Sequence, residues 1–266
     1  QIGEAARVHI HAILPRRTKF SRQAAGQDVI EQIVAANIDT VFLVSALDGN
    51  YHLHRLERYL AAAWASGAQP VILLNKADLA EDNSAALCAE IASVAPQVPV
   101  FIVSAQTRRG LKALAPYLTP GATIALLGSS GVGKSTLINR IVGEYLQDTQ
   151  AVREVDGKGR HTTTSRSLHA IAGGGWVIDT PGMRSLHLGD SAFGIDTLFA
   201  EITELAPLCR FRDCTHQHEP GCAVQSAVAA GTLDADRLVR WRKLSDENRS
   251  NTPVQNGPRG ASAGRA

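Results

Sequence analysis

Short apolar runs recur through the first half of the chain, separated by stretches of helical period. Val41–Val44, Val71–Leu74, Val100–Val103 and Ala122–Leu127 are near-continuously apolar, as strands buried on both faces are. Amphipathic stretches over about residues 52–66, 82–93 and 109–117 lie between them, and a helix over Lys134–Val142 follows the last. Strands alternating with helices imply right-handed crossovers and a mostly parallel sheet, hence an α/β fold. Residues 147–165 are polar and lack a period. Ser167–Ala172 and Trp176–Asp179 then predict a hairpin joined by Gly173, Gly174 and Gly175. Beyond Gly182 no strand pattern remains, and helices are predicted near 196–205, 222–230 and 234–244. At the other end, residues 7–14 alternate like a half-buried strand and residues 15–27 read as a polar, basic linker. Asp28 is positioned to cap a short helix carrying Val29, Ile30, Ile33 and Val34 on one face. From about Ser250 onward Asn, Pro, Gly and Ser predict a disordered tail.

Onto this pattern fall four motifs of nucleotide chemistry. Gly128-Ser129-Ser130-Gly131-Val132-Gly133-Lys134-Ser135 follows a strand and opens a helix. Glycines there let backbone N–H groups surround an anion at a helix N-terminus. Lys134 then bridges β- and γ-phosphates, the Ser135 hydroxyl ligates Mg²⁺, and Thr136 is counted with them as nucleotide-binding. Asn75-Lys76-Ala77-Asp78 ends an apolar strand. The Asp78 carboxylate can accept from guanine N1–H and the 2-amino group, a donor pair adenine lacks. The Lys76 stem can cover the base, and Asn75 can tie this loop to the phosphate loop. One unit later the Ala105 N–H of Ser104-Ala105 is assigned to the guanine carbonyl. Asp179-Thr180-Pro181-Gly182 comes last: Asp179 holds Mg²⁺ through water and the Gly182 N–H meets the γ-phosphate. The set points to GTP and GDP as ligands, in a permuted order, with the base-reading motifs before the phosphate loop. In Gly159-Arg160-His161-Thr162-Thr163-Thr164, one of Thr162–Thr164 is the second Mg²⁺ hydroxyl, Thr163 being favoured. His161 can orient the attacking water, which Met183, directly after Gly182, cannot do.

Cys209, Cys214, His216 and Cys222 offer three thiolates and an imidazole, a closed tetrahedral set for one structural Zn²⁺. His218 competes with His216, and a disulfide with a free thiol, or apolar burial, are the plainer alternatives. The Pro220-Gly221 turn can aim Cys222 back at the metal. Cys88, on a helix, reads as core.

Composition adds less. At 266 residues the chain can bury a full core and carry a second, smaller unit. No apolar run approaches the roughly 20 residues that cross a bilayer, so no membrane partner is expected. No export signal is visible, which sets the expected location as the cytoplasm and favours metal over disulfides. A net charge of +2 neither requires nor excludes a nucleic-acid partner.

Taken together these residues resemble the RsgA (YjeQ) family of small-ribosomal-subunit biogenesis GTPases. Leu14-Pro15-Arg16, Gln32 to Asp39, Leu56-Glu57-Arg58-Tyr59-Leu60, Gly159 to Thr164 and Asp213 to Cys222 carry the resemblance, with the motif order and the cysteine cluster. It implies a circularly permuted P-loop GTPase, a small C-terminal helical zinc-binding domain, and an N-terminal oligonucleotide-binding barrel that is largely absent from this chain. The expected division is 1–27 (end of the barrel and linker), 28–188 (GTPase), 189–249 (zinc-binding helices) and 250–266 (tail). The implied activity is GTP hydrolysis stimulated by the ribosome during late maturation of the small (30S) subunit, with His161 serving hydrolysis. The implied partner is that subunit and its 16S rRNA, and a monomer is expected. Two rivals remain on sequence grounds: a GTPase of another RNA process such as tRNA modification, and a zinc RNA-binding module with a vestigial GTP site. Because Gly182 lies directly upstream of the zinc-bearing segment, nucleotide state is expected to move that segment.

Overall fold

The structure, a computed structural model, describes residues 11–23, 31–48, 51–80, 84–143, 167–179 and 191–252. A six-stranded sheet forms its centre, in the order β5-β4-β3-β6-β8-β7. The strands are β3 (Thr40–Ala46), β4 (Gln69–Asn75), β5 (Val100–Ile102), β6 (Thr123–Leu127), β7 (Ser167–Ala170) and β8 (Trp176–Asp179). All neighbouring pairs are parallel except β7 and β8, the predicted hairpin. Side chains alternate across a strand, so each apolar run feeds two cores. Leu43, Ile72, Leu74, Ala125 and Leu127 face one core. Phe42, Val44, Val71, Leu73, Leu126 and Val177 face the other. That double demand is why these runs are apolar at every position.

The second core is closed by α3 (Lys134–Val142) and a 3₁₀ helix at Leu111–Tyr117. The stretch predicted there as an ordinary helix contains Pro116, which cannot donate to an α-helical ladder. The first core is closed by α1 (Leu53–Ser66) and α2 (Ser84–Val94). In α1 the buried Leu56, Tyr59, Leu60 and Ala63 repeat at helical spacing, and Gly67 ends the helix at φ +81°.

Three C-terminal helices and one longer one extend the first core: α4 (Ala192–Leu198), α5 (Ala200–Leu205), α6 (Ala223–Ala229) and α7 (Ala235–Asn251). Ile195, Leu198, Phe199, Ile202, Val224, Leu238 and Leu244 belong to the same apolar cluster as Leu56 and Leu60 of α1. The contact is close: a Cβ on Gly194 of α4 would stand 1.8 Å from the Ala61 carbonyl oxygen. A buried charge network ties the same surfaces. The Arg237 guanidinium donates to Glu57 of α1 at 2.9 Å and to Glu201 at 2.6 Å, and also reaches the Val94 and Leu198 carbonyls. It stacks on Phe199 at 4.2 Å from the ring centroid. Arg240 gives Glu57 a second donor at 3.1 Å. A carboxylate as buried as Glu57 is tolerated only with such partners.

The N-terminal reading needs correction. Strands β1 (Lys19–Gln23) and β2 (Glu31–Ala36) pair antiparallel where a linker and a short helix were expected, so the expected division at 27/28 falls between two paired strands. The spacing of Ile33 and Val34 fits one helical face, but pairing with the 19–23 segment, which puts Phe20, Val34, Ala35 and Ile38 into the first core, overrides it. Residues 11–14 form no strand, and Ile13 and Leu14 are exposed. Helix α7 runs to Asn251, past the predicted end near 244. Among the described residues no helix is long and apolar enough to cross a membrane.

Gly194→Ala is expected to force α4 off α1 and cost about 3 kcal/mol, read as a lowered urea midpoint. A surface change such as Thr197→Ala serves as the control.

Candidate nucleotide site and metal centre

In an open parallel sheet, ligand sites form outside the carboxyl ends of the strands. Here β4 ends at Asn75, β5 leads to Ser104, β6 leads to the Gly128–Ser135 loop and β8 ends at Asp179, so four of the predicted motifs meet along one edge. Gly133 (φ +95°) turns the phosphate loop into α3, and a Cβ there would stand 2.3 Å from the Asn75 amide nitrogen. Only glycine lets these loops approach so closely. Gly131 is left-handed as well, whereas Gly128 is held by the Val44 carbonyl, 2.3 Å from where a Cβ would lie.

Asn75 is 2% exposed and joins three loops. Its Nδ2 donates to the Val132 carbonyl at 2.8 Å, and its Oδ1 accepts from the Ala105 N–H at 3.0 Å. The expected tie to the phosphate loop is therefore present. The Ala105 N–H, assigned from sequence to a guanine carbonyl, donates to Asn75 in this structure. Asp78 is exposed and accepts from the Ser104 hydroxyl, which also accepts from the Thr107 N–H at 3.0 Å. Lys76, at φ +63°, pairs with Asp48 at 2.5 Å. The Lys134 ammonium donates to the Gly128 and Ser129 carbonyls at 2.7 and 2.6 Å, which holds it across the mouth of the loop. Ser130 and Thr136 are exposed, and Ser135 is half-buried in the first turn of α3. The residues His161, Thr162, Thr163, Thr164, Gly182 and Met183 lie outside the described residues.

The metal centre is compact. One donor atom from each of Cys209, Cys214, His216 and Cys222 lies within 4.8 Å of all the others. Cys209 Sγ stands 3.8 Å from Cys222 Sγ, and His216 Nδ1 stands 3.5 and 3.4 Å from those two sulfurs. A tetrahedral ion with bonds of about 2.3 Å to sulfur and 2.0 Å to nitrogen sets sulfur–sulfur edges near 3.8 Å and sulfur–nitrogen edges near 3.5 Å. The donor set thus fits one tetrahedral ion, and a 3.8 Å separation is far beyond a disulfide's bond length of about 2.05 Å. His218 is exposed and outside the cluster. Burial holds the His216 pKa below its usual value, which favours the neutral, ligating imidazole. Its backbone is left-handed at φ +59°, and its carbonyl accepts from Gln225 at 2.6 Å and from Arg242. The Glu219 carboxylate gathers the Thr215 hydroxyl and the N–H groups of Thr215, Gln217 and His218, which keeps it well below the usual carboxylate range. Gly221 (φ +77°) accepts from the Arg210 N–H and delivers Cys222 to the start of α6, where its sulfur receives the Gln225 N–H.

The model of the RsgA GTPase family matches residues 13–189. The small ribosomal subunit biogenesis GTPase RsgA of Mesorhizobium japonicum is 57% identical over 259 residues, covering 95% of this chain and 74% of that protein. This chain belongs to the RsgA GTPase family. The RsgA protein of Opitutus terrae is 54% identical over 239 residues, covering 90% of this chain and 65% of its own length, and for that of Methanosarcina acetivorans the last figure is 63%. This chain thus spans less than two thirds of some RsgA relatives. Among solved structures, YjeQ from Thermotoga maritima is similar at TM-score 0.62 and 26% identity, covering 89% of this chain and 77% of that one. A second, entitled "The crystal structure of YloQ, a circularly permuted GTPase", reaches 0.59 and 26%, covering 92% and 84%. The RsgA fold assigned from motif order is therefore the fold observed: a circularly permuted α/β GTPase with a mostly parallel sheet and a Cys₃His cluster near its C-terminus.

Three residues of the RsgA site were invisible in the sequence. Asp48 pairs with Lys76, Arg140 of α3 donates to the Ala105 carbonyl at 3.1 Å, and Arg55 of α1 donates to the Ser129 hydroxyl at 3.1 Å. Each partner is distant in sequence, and Asp48, Arg55 and Arg140 themselves lie outside the phosphate- and base-binding motifs.

Asn75→Ala leaves a buried carbonyl and N–H unpaired and is expected to cost about 2 kcal/mol, read by thermal unfolding of the otherwise intact protein. Treatment with a strong chelator is expected to release residues 209–222 and α6, seen as rapid proteolysis there while the sheet resists cleavage.

Proposed function

We propose that this chain is a GTP hydrolase acting in late maturation of the small ribosomal subunit. The observation that carries the reading is the single buried amide of Asn75, which assembles the base loop, the Ser104-Ala105 loop and the phosphate loop at one sheet edge. The names of the RsgA relatives support the biological setting.

In this reading the backbone N–H groups of Gly128, Ser129, Ser130, Gly131, Val132 and Gly133, with the N-terminus of α3, enclose the polyphosphate. Lys134, already oriented along the loop, meets the β- and γ-phosphates. Asp78, oriented by Ser104, accepts from the guanine edge, and Lys76 covers the base. Ala105 gives its N–H to the guanine carbonyl by exchanging it from Asn75. The hydroxyls of Ser135 and Thr163, with Asp179 acting through water, hold Mg²⁺, which neutralises charge on the phosphates. Thr136, next to Ser135 at the start of α3, belongs to the nucleotide-binding set. Gly182 senses the γ-phosphate and His161 orients the water. The metal centre takes Zn²⁺ in a structural role, since its four positions are filled by protein. The partner is the small subunit with its 16S rRNA, the chain acts as a monomer, and its place is the cytoplasm.

Purified small subunits are expected to raise GTP turnover at least ten-fold, with the activity abolished in Lys134→Ala. Turnover without subunit stimulation points to another GTPase role, and no turnover at all defeats the reading. Asp78→Asn is expected to reduce the preference for GTP over ATP by at least ten-fold in competition binding.

A further inference from the structure

Helix α1 has two ends of business in its first two turns. Arg55 donates to the Ser129 hydroxyl of the phosphate loop at 3.1 Å. Glu57, two residues on, takes Arg237 at 2.9 Å and Arg240 at 3.1 Å from α7, and Arg58 donates to Glu247 of α7 at 2.6 Å. The residue that Arg55 holds is also the one whose carbonyl receives the Lys134 ammonium at 2.6 Å. Two hydrogen bonds, both made by Ser129, therefore connect the C-terminal helices' anchor on α1 with the lysine across the phosphate loop.

The two joints differ in strength. The joint to α7 buries Glu57 and Arg237 almost completely, with Gly194 packed on Ala61 beside it, and separating these charges from each other is costly. The joint to the phosphate loop is one half-buried bond from a guanidinium to a neutral hydroxyl, worth far less. A helix moves as a rigid rod over so short a length. A shift of the phosphate loop is thus delivered to α7, and strain in the helical segment is delivered to Ser129.

We propose that Arg55 is the positioning residue through which the metal-bearing helical segment and the phosphate loop are coupled. This rests on the nucleotide reading above. It supplies a route for the expected movement of that segment that runs through α1 rather than through the chain after Gly182. By linkage, whatever the nucleotide does to the helices, the helices do to nucleotide affinity.

The test is amide hydrogen exchange of the full chain, with and without saturating Mg²⁺ and fluorescently labelled GDP. In the parent protein, binding is expected to slow exchange in the phosphate loop and, by at least three-fold, in α4 and α7. Arg55→Ala is expected to weaken GDP binding about five-fold and to keep the loop's own protection at saturation, while the effect on α4 and α7 disappears. Arg55→Lys, which retains a donor, is expected to restore it. Ser129→Ala should behave as Arg55→Ala does, and the double variant no worse than either. Persistence of the α4 and α7 response in Arg55→Ala overturns the coupling, as does an additive double variant or bound GDP that leaves those helices unchanged in the parent. Failure of the parent to bind GDP at all instead overturns the nucleotide reading.

Discussion

Asn75 is a short side chain with two polar atoms, and the site depends on both being used. Its amide nitrogen holds the Val132 carbonyl and its oxygen holds the Ala105 N–H. These belong to loops that follow different strands, yet the residue is almost wholly buried. A buried amide left half-paired would cost more than the pair contributes, so the three loops are constrained together. Gly133 completes the constraint, since no side chain fits between it and Asn75. Breaking the chain at a connection elsewhere in the sheet leaves this contact untouched. That is the physical reason a permuted order preserves the site: the contacts run between strand ends and do not depend on which strand comes first.

The C-terminal helices are not a loosely tethered unit. Gly194 against Ala61, Phe199 beneath Arg237, and Glu57 shared by two arginines make them an extension of the first core. The metal centre lies on this body, at the start of α6, and its loop is knitted by Glu219 and by the His216 carbonyl. The segment 209–222 has few apolar side chains of its own, and a metal held by its four donors would offset that. The result is a charged body, carrying a compact Cys₃His cluster, packed on the helix that reaches the phosphate loop.

How much of this was legible depended on the range of the interaction. The central strands were readable because burial on two faces demands apolar residues at every position, as in Val71–Leu74. The phosphate loop was readable because the Gly133, Lys134 and Ser135 chemistry is local. The four metal donors were readable from their spacing, although only the fold distinguishes buried His216 from exposed His218. The pairing of β1 with β2 was not readable, because the 19–23 segment carries one large apolar residue, Phe20, and looks like a linker until its partner is known. The Asn75 bond to the Ala105 N–H was not readable for the same reason: its two ends lie 30 residues apart.

Sequence alone therefore determined the types of chemistry present and their order along the chain. Glycine, lysine and serine at fixed spacing impose a tight loop opening a helix, with the lysine laid along it, and alternating apolar runs and amphipathic helices impose a parallel α/β sheet. Tertiary structure alone decided which partner each charge meets. Arg55 with Ser129, Arg140 with Ala105, Arg237 with Glu57 and Lys76 with Asp48 are all pairs across loops or domains. An arginine carries no mark of its partner, because a long charged side chain is compatible with solvent, a carbonyl or a carboxylate. Only the packing that removes water selects among them.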